Sequence, residues 1–426
     1  MILYRGKIFD SAEQDRILAE MEPYINRTLS EKTLPAEKVI DAIARLGKEI
    51  AEGTHDTLLA TLQADDPRRY KLLAAAMLSR ENLELKLKTE LYGTTSPDSP
   101  PAIQVKMMPL GVIFHIAAGN MDGLPAFSLA EGLLTGNINI LKLPQADNGI
   151  SLEIISRLIA LEPALKDYIF VFDTPSSDIR AMQRMAELAD GICVWGGEDA
   201  VKAVRSLAPT GAKLIEWGHK LGFCYIADPG NPECLTSELS LLAEHIAETK
   251  QLLCSSCQTI FLNTEEESDL LKFCEAFLPL LEAASAKHRS GTIGERAYLT
   301  LMRHTEYLEE LIGQSHNASG EYRGTGCRLI VRSDSELELS PMMCSVLVKR
   351  LPEDQIVSVL RRKKGLLQTA GLICAPEKRD AFTKLFARCG VTRITTPGNM
   401  SAYFNGEAHD GEYALRRYVR MVDIEV

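Results

Sequence analysis

Residues 114–144 read FHIAAGNMDGLPAFSLAEGLLTGNINILKLP. The spacing of apolar and turn residues predicts a strand, a glycine-containing loop, an amphipathic helix ending at Gly136, and a second strand that delivers Lys142 at its carboxyl edge. In open α/β sheets ligands bind beyond the carboxyl ends of the strands, so Asn120 and Lys142 are expected to project toward one crevice. An Asn amide there can donate to an oxyanion, and a Lys can meet ribose hydroxyls or a phosphate.

The same texture continues outward. Strand-like "YIFVFD", "GICVWG" and "AKLIEW" follow, separated by helical segments of about ten to fifteen residues, the signature of a parallel sheet with helices on its faces. Residues 101–220 therefore read as a Rossmann-type, doubly wound domain. A second α/β run over 221–395 carries "GFCYIA", "QTIFLN", "CRLIVRS", "CSVLVKRL" and "LLQTAGLICA". Residues 1–100 form a helical pattern that ends in the turn-rich "YGTTSPDSPP". Residues 396–426 close with an alternating strand, Tyr418–Val426, that has no partner in its neighbourhood and is expected to pair with another region or another subunit.

Length and charge bound the function. A chain of 426 residues exceeds one core, since cores stop growing at roughly 250–300 residues. With 47 basic and 58 acidic residues the formal charge is −11, which argues against nucleic acid and anionic lipid as partners. The one dense basic run, Arg361 to Lys364, precedes Gly365 and reads as a helix C-terminus that attracts cations to its carbonyls. No apolar window is long enough to span a membrane, and the N-terminus lacks a cationic start before a long apolar core, so a cytoplasmic protein is expected.

Ten cysteines scattered over this length do not make a disulfide scaffold. Two of them, Cys254 and Cys257, stand three apart in LLCSSCQTIFL, residues 252–262. A structural zinc site needs about four ligands, and no second close pair is present. A redox pair would sit where a strand feeds a helix, whereas here a helix feeds a strand. Two readings stay open on these residues alone, an exposed nucleophile on a short polar loop and buried filler.

Five stretches in order, HIAAGNMDGLPAFSLAEGLLTGNINILKLP, VWGGEDAVKAV, CSSCQTIFL, ELSPMMCSVLVKRL and HDGEYALRRYVRMVDIE, resemble the LuxC-type acyl-CoA reductases of the aldehyde dehydrogenase superfamily, over residues 115–425. The resemblance implies an aldehyde dehydrogenase-like α/β fold, with a Rossmann-type cofactor domain, an α/β catalytic domain, and a C-terminal segment returning to the cofactor domain and serving an oligomer interface. It makes Cys254 the nucleophile, at the first position of a C-S-S-P-Q motif, while Cys257 replaces the family's Pro. It makes Asn120 the oxyanion donor and Lys142 the adenosine-ribose residue. Gln145 is neutral where NAD-preferring relatives carry a Glu, which favours NADP(H). Gly196 and Gly197 match the backbone that approaches the cofactor.

Glu216 falls near the general base of hydrolytic relatives, a base that a thioester reductase does not require. Glu338 stands near the Glu that orients the nicotinamide ribose, one residue short of the family spacing to Pro341. His409-Asp410-Gly411 is a family signature for which a turn suffices, and His115, within an apolar strand, reads as a core residue.

The implied reaction is NADPH-dependent reduction of an acyl thioester to an aldehyde through a cysteine thioester, with acyl-CoA or an acyl-transferring protein as donor and a homodimer or homotetramer as the assembly. Acyl phosphate reduction, aldehyde oxidation through Glu216, and a catalytically silent assembly subunit are the alternatives.

Overall fold

The structure, a computed structural model, describes residues 1–60, 67–92, 104–117, 123–145, 147, 149–230, 235–288, 300–301, 304–305, 308 and 318–424. The chain forms two compact units, Met1–Gly218 with Phe404–Val426, and His219–Tyr403.

The first unit is built on a seven-stranded sheet. Its strands are β1 (Ile2–Tyr4), β2 (Lys7–Phe9), β4 (Val112–Ile116), β5 (Ile138–Lys142), β6 (Ile169–Phe172), β7 (Gly191–Trp195) and β8 (Lys213–Trp217), in the order β2-β1-β6-β5-β4-β7-β8. From β6 to β8 all pairs are parallel. Strands β4 to β7 are buried at every position, as expected when helices cover both faces of a parallel sheet. The helix Leu124–Leu134 connects β4 to β5, with Gly136 in the left-handed region just after it (φ 80°), so the predicted strand-helix-strand order of residues 114–144 holds at its described positions.

Two features correct the sequence reading and a third meets one of its expectations. The N-terminal segment is not wholly helical: it opens with the β1–β2 hairpin, turned at Arg5 and Gly6 (φ 52° and 73°), and β1 adds antiparallel to β6. The apolar run over residues 103–117, which its composition reads as one continuous strand, breaks at Gly111 (φ 129°), where a side chain would strike Asp190. Its first half, β3 (Gln104–Pro109), leaves the main sheet. The C-terminal strand β16 (Val419–Ile424) finds its partner there, pairing antiparallel with β3 from Val419↔Pro109 to Ile424↔Gln104 within the same chain.

The second unit carries β9 (Leu221–Ile226), β10 (Cys257–Leu262), β11 (Ala318–Gly324), β12 (Cys327–Arg332), β13 (Ser345–Arg350), β14 (Leu367–Ile373) and β15 (Arg393–Thr395), in the order β11-β12-β13-β10-β9-β14-β15. Alternation along β9 splits its side chains between two cores: Cys224 and Ile226 pack on one face, and Phe223 and Tyr225 on the other with Phe382 and Phe386. The basic run ends a helix as expected, with Ile356–Leu360 tightening into a last turn at Arg361–Lys363 before Gly365 (φ 83°). No described helix is long and apolar enough to cross a membrane, and no metal-ligand cluster occurs among the described residues.

Candidate active site

The second unit holds Cys254 on a clamped turn. The helix Thr236–Thr249 stops where Lys250 and Gln251 adopt left-handed backbone (φ 48° and 63°), a conformation that costs non-glycine residues about 1–3 kcal/mol each. Hydrogen bonds over-determine it. The Gln251 amide donates to the Cys257 carbonyl and to Ser340 Oγ, both at 2.9 Å, and Gln258 donates back to the Gln251 carbonyl at 2.9 Å. Ser340 Oγ in turn donates to Gln258 Oε1 at 2.7 Å, and Met343 N–H donates to the Lys250 carbonyl at 2.9 Å. The loop closes on itself through Leu253 N–H to Ser256 Oγ at 3.1 Å. Strand β9 passes beneath it, and a Cβ on Gly222 would sit 2.5 Å from the Ser256 carbonyl oxygen, so only glycine fits there.

Cys254 is exposed at the tip, after the exposed Leu252 and Leu253. Gln368 Nε2, at the start of β14, donates to its Sγ at 3.3 Å. A donor on sulfur supports the negative charge that a nucleophilic thiolate carries. Nothing local in the sequence announces Gln368. It arrives because β14 and β10 flank β9 at the level of Gly222, with Leu367 opposite Leu221 and Cys257 opposite Gly222.

The two cysteines of the opening motif live in different environments. Cys257 is the first residue of β10, fully buried, and loss of solvation pushes its thiol up to about 12. It forms no disulfide with Cys254, and no disulfide joins any two of the nine described cysteines. Its N–H donates to His245 Nε2 at 3.4 Å, and burial lowers that imidazole to about 4, leaving it neutral.

Four of the residues expected at the cofactor, Lys142, Gln145, Gly196 and Gly197, stand at or just after the carboxyl ends of β5 and β7 in the first unit, whereas Glu338 belongs to the second. Lys142 ends β5, is 4% exposed, and donates to Ser176 Oγ at 2.9 Å. Burial lowers its pKa, and among the described residues no carboxylate pairs with it. Gln145 follows in an exposed turn. Gly197 precedes the helix Glu198–Leu207, whose start carries no side-chain cap. A Cβ on Gly196 would meet Ala200, whereas one on Gly197 would meet nothing within 4 Å, so the chain itself does not require glycine at 197. A buried amine with no carboxylate partner among the described residues, and an uncapped helix start after β7, fit the ribose and phosphate parts of a nicotinamide dinucleotide. Glu198 and Asp199 already complement the positive end of that helix, which limits what it can add to phosphate binding. Asn120 lies outside the described residues.

Three other candidates are occupied by the protein. Glu216 receives both N–H groups of the Arg205 fork at 2.6 and 2.7 Å, which lowers its pKa and makes it a weak base. Glu338 accepts from the fully buried Lys349 at 2.5 Å, and Asp334 shares that ammonium at 2.6 Å, so Glu338 serves to neutralise a buried cation. His115 is a core residue. Its Nε2 donates to Asn139 Oδ1 at 3.0 Å, its Nδ1 accepts from Ser128 Oγ at 2.8 Å, and burial lowers it to about 4.

The signature at 409–411 is a two-residue turn, with Asp410 and Gly411 at φ 50° and 80° and Glu412 N–H returning to the His409 carbonyl at 2.9 Å. The turn sets the His409 ring 5.3 Å from Trp195 and 5.0 Å from Trp217, at the carboxyl ends of β7 and β8.

The chain is similar to known proteins in sequence and in fold. The family model described as acyl-CoA reductase (LuxC) matches residues 32–421. A long-chain acyl-protein thioester reductase of Vibrio harveyi is 24% identical over 382 residues, which covers 86% of this chain and 76% of that protein. The protein of the same description from Aliivibrio fischeri is 26% identical over 325 residues, covering 75% of this chain and 65% of its own length. The fold is that of aldehyde dehydrogenases. A putative aldehyde dehydrogenase from Burkholderia cenocepacia superposes with a TM-score of 0.75 at 15% identity, over 100% of this chain and 96% of that one. An NAD-dependent aldehyde dehydrogenase from Sinorhizobium meliloti gives 0.74 at 14%, over 100% and 94%.

Proposed function

The chain belongs to the acyl-CoA reductase (LuxC) family, and from that premise we propose that it reduces a long-chain acyl thioester to the aldehyde, with Cys254 as the nucleophile. The observation that carries this reading is the exposed Cys254 on a hydrogen-bonded turn, with Gln368 donating to its sulfur.

The Cys254 thiolate attacks the thioester carbonyl carbon. The bond to the donor's sulfur breaks, that thiolate leaves, and an acyl-Cys254 thioester remains. Exchange of one thioester for another is nearly thermoneutral, so the step needs no nucleotide hydrolysis. Asn120 and the Cys254 N–H are the groups we assign to the developing oxyanion, by resemblance. When bound, the reduced nicotinamide cofactor supplies the hydride that takes the acyl carbon to the aldehyde level. Cys254 is then expelled as thiolate, ready for a second acyl group.

Lys142 and the backbone at Gly196 and Gly197 hold the cofactor in this reading, and the neutral Gln145 leaves room for a 2′-phosphate, which favours NADP(H) over NAD(H). Glu216, bound by Arg205, has no water to activate in a reduction. The acyl donor is a CoA thioester or an acyl-carrying protein, since both present the same carbonyl to the thiol. Self-association is assigned to the β3–β16 ribbon, where Val105, Met108 and Met421 stand exposed.

The test is NADPH oxidation with aldehyde analysis across acyl-CoAs of graded length. Stoichiometric aldehyde from at least one long-chain thioester supports the reading. A protein that binds NADPH yet yields no aldehyde from acyl-CoA or acyl-protein favours the silent assembly subunit.

A further inference from the structure

At the other end of the first unit's sheet lies a cavity of about 560 Å³. It is half open to solvent and is bounded by the β1–β2 hairpin, the helix Gln14–Glu31 and the short helical turn Pro163–Asp167 that leads into β6. Lys142 marks the carboxyl ends of the parallel strands, whereas Asp167 and Tyr4 stand at the amino end of β6. The cavity is therefore not the cofactor crevice. Arg5, Lys7 and Arg27 also precede residue 32, where the family match begins.

The lining is unusually basic for a chain of net charge −11. Arg5, Lys7, Arg16, Arg27, Lys32 and Lys166 face Glu20, Glu31 and Asp167, an excess of three positive charges from six cations and three carboxylates. Two of those carboxylates are already engaged: Glu20 accepts from Arg16 at 2.8 Å, and Asp167 accepts from Lys32 at 2.6 Å and from the Tyr24 hydroxyl. Among the described residues no carboxylate forms an ion pair with Arg5, Lys7, Arg27 or Lys166.

Geometry brings the uncompensated charges together. The Arg5 guanidinium lies 4.7 Å and the Arg27 guanidinium 5.1 Å from the centroid of the same Tyr24 ring. A tyrosine ring attracts each of them, and an anion bound beside that ring gains from both positive charges. The hairpin places Arg5 there by a left-handed turn, and Gly6 at its tip packs against the Lys166 side chain, where a Cβ would come to 3.2 Å. Guanidinium forks match phosphate oxygens in pairs, and a cavity of a few hundred Å³ suits a small ligand.

We propose that this cavity is a second anion site, taking a small molecule that carries a pyrophosphate group held by Arg5, Arg27, Lys7 and Lys166, which line it together. The site is independent of the thiol chemistry assigned above. Its ligand is either inorganic pyrophosphate or a nucleoside diphosphate that presents the same group.

Calorimetric titration of the full chain at low salt, with NADPH saturating the cofactor crevice, tests this with pyrophosphate and ADP as probes. We expect one site per chain, weakened at least tenfold both in Arg5→Ala/Arg27→Ala and in Lys7→Ala/Lys166→Ala, with NADPH affinity unchanged in each. Tighter binding of ADP than of pyrophosphate identifies a nucleotide ligand, and equal binding identifies the pyrophosphate group itself. Two independent variant pairs guard against misfolding of either one. Absence of saturable binding of both probes, or binding that survives both pairs, overturns the proposal, as does a cavity that responds only to an acidic protein.

Discussion

Gln368 Nε2 and Cys254 Sγ stand 3.3 Å apart across 114 residues of sequence, joined only because their segments flank the same central strand. A hydrogen bond to a charged partner contributes about 1.5–3 kcal/mol, which corresponds to roughly a tenfold to hundredfold change in rate. Gln368→Leu is expected to slow alkylation of Cys254 by iodoacetamide at pH 7 by that factor, with the circular dichroism spectrum unchanged. An alkylation rate equal to wild type would remove Gln368 from the site.

Cys254→Ala is expected to abolish the acyl adduct seen by mass spectrometry after incubation with acyl-CoA without NADPH, while NADPH still binds. Cys257→Ala should retain the adduct, because its thiol is buried and held protonated. An adduct that persists in the first variant and vanishes in the second would exchange the roles of the two cysteines.

Gln145→Glu should move cofactor preference toward NADH. A carboxylate about 4 Å from a 2′-phosphate costs on the order of 4 kcal/mol at an effective dielectric of about 20, reduced by solvent at this exposed turn. The ratio of kcat/KM for NADPH to that for NADH is the measurement. A wild type that already prefers NADH, with no change on substitution, would refute the assignment of NADP(H).

Glu216→Gln should leave NADPH-dependent aldehyde formation within a few-fold of wild type, since the Arg205 fork already holds the carboxylate. A general base contributes about 10²–10⁴-fold where it is needed. A loss of about a hundredfold or more in a folded, NADPH-binding variant would make Glu216 a participant, for example by taking the Cys254 proton.

Stability should fall as pH drops from 7 to 5. His115 and His245 are buried and neutral, each lowered to about 4, whereas an unfolded histidine titrates near 6.5. Between those values the unfolded chain binds more protons, so the stabilisation is complete above about pH 6.5 and is lost toward pH 4, by up to roughly 1.4 kcal/mol per pH unit for each histidine. Urea unfolding at pH 7, 6 and 5 reads this directly, and constant midpoints would contradict it.

What the sequence determined by itself is local. Alternating strands and helices specify a parallel α/β architecture, because the period of the apolar residues decides which face of each element is buried. The same pattern put Lys142 at a strand's carboxyl end and Cys254 on a turn between helix and strand, and the structure has both there. Family resemblance, not periodicity, separated Cys254 from Cys257; burial then supplied the physical reason, one thiol exposed and the other desolvated.

Tertiary structure decided the partners. The alternation of Tyr418–Val426 could not say that β3 was waiting some three hundred residues earlier, since any complementary edge satisfies a strand. Nor could charge spacing show that Arg205 takes Glu216, that Lys349 takes Glu338, or that Arg5 and Arg27 both approach the Tyr24 ring. Pairings of this kind depend on which strands lie side by side and on where the turns aim, and both are settled by long-range packing of the sheets. Only after that packing does a glutamine on one strand reach a sulfur on the loop before another.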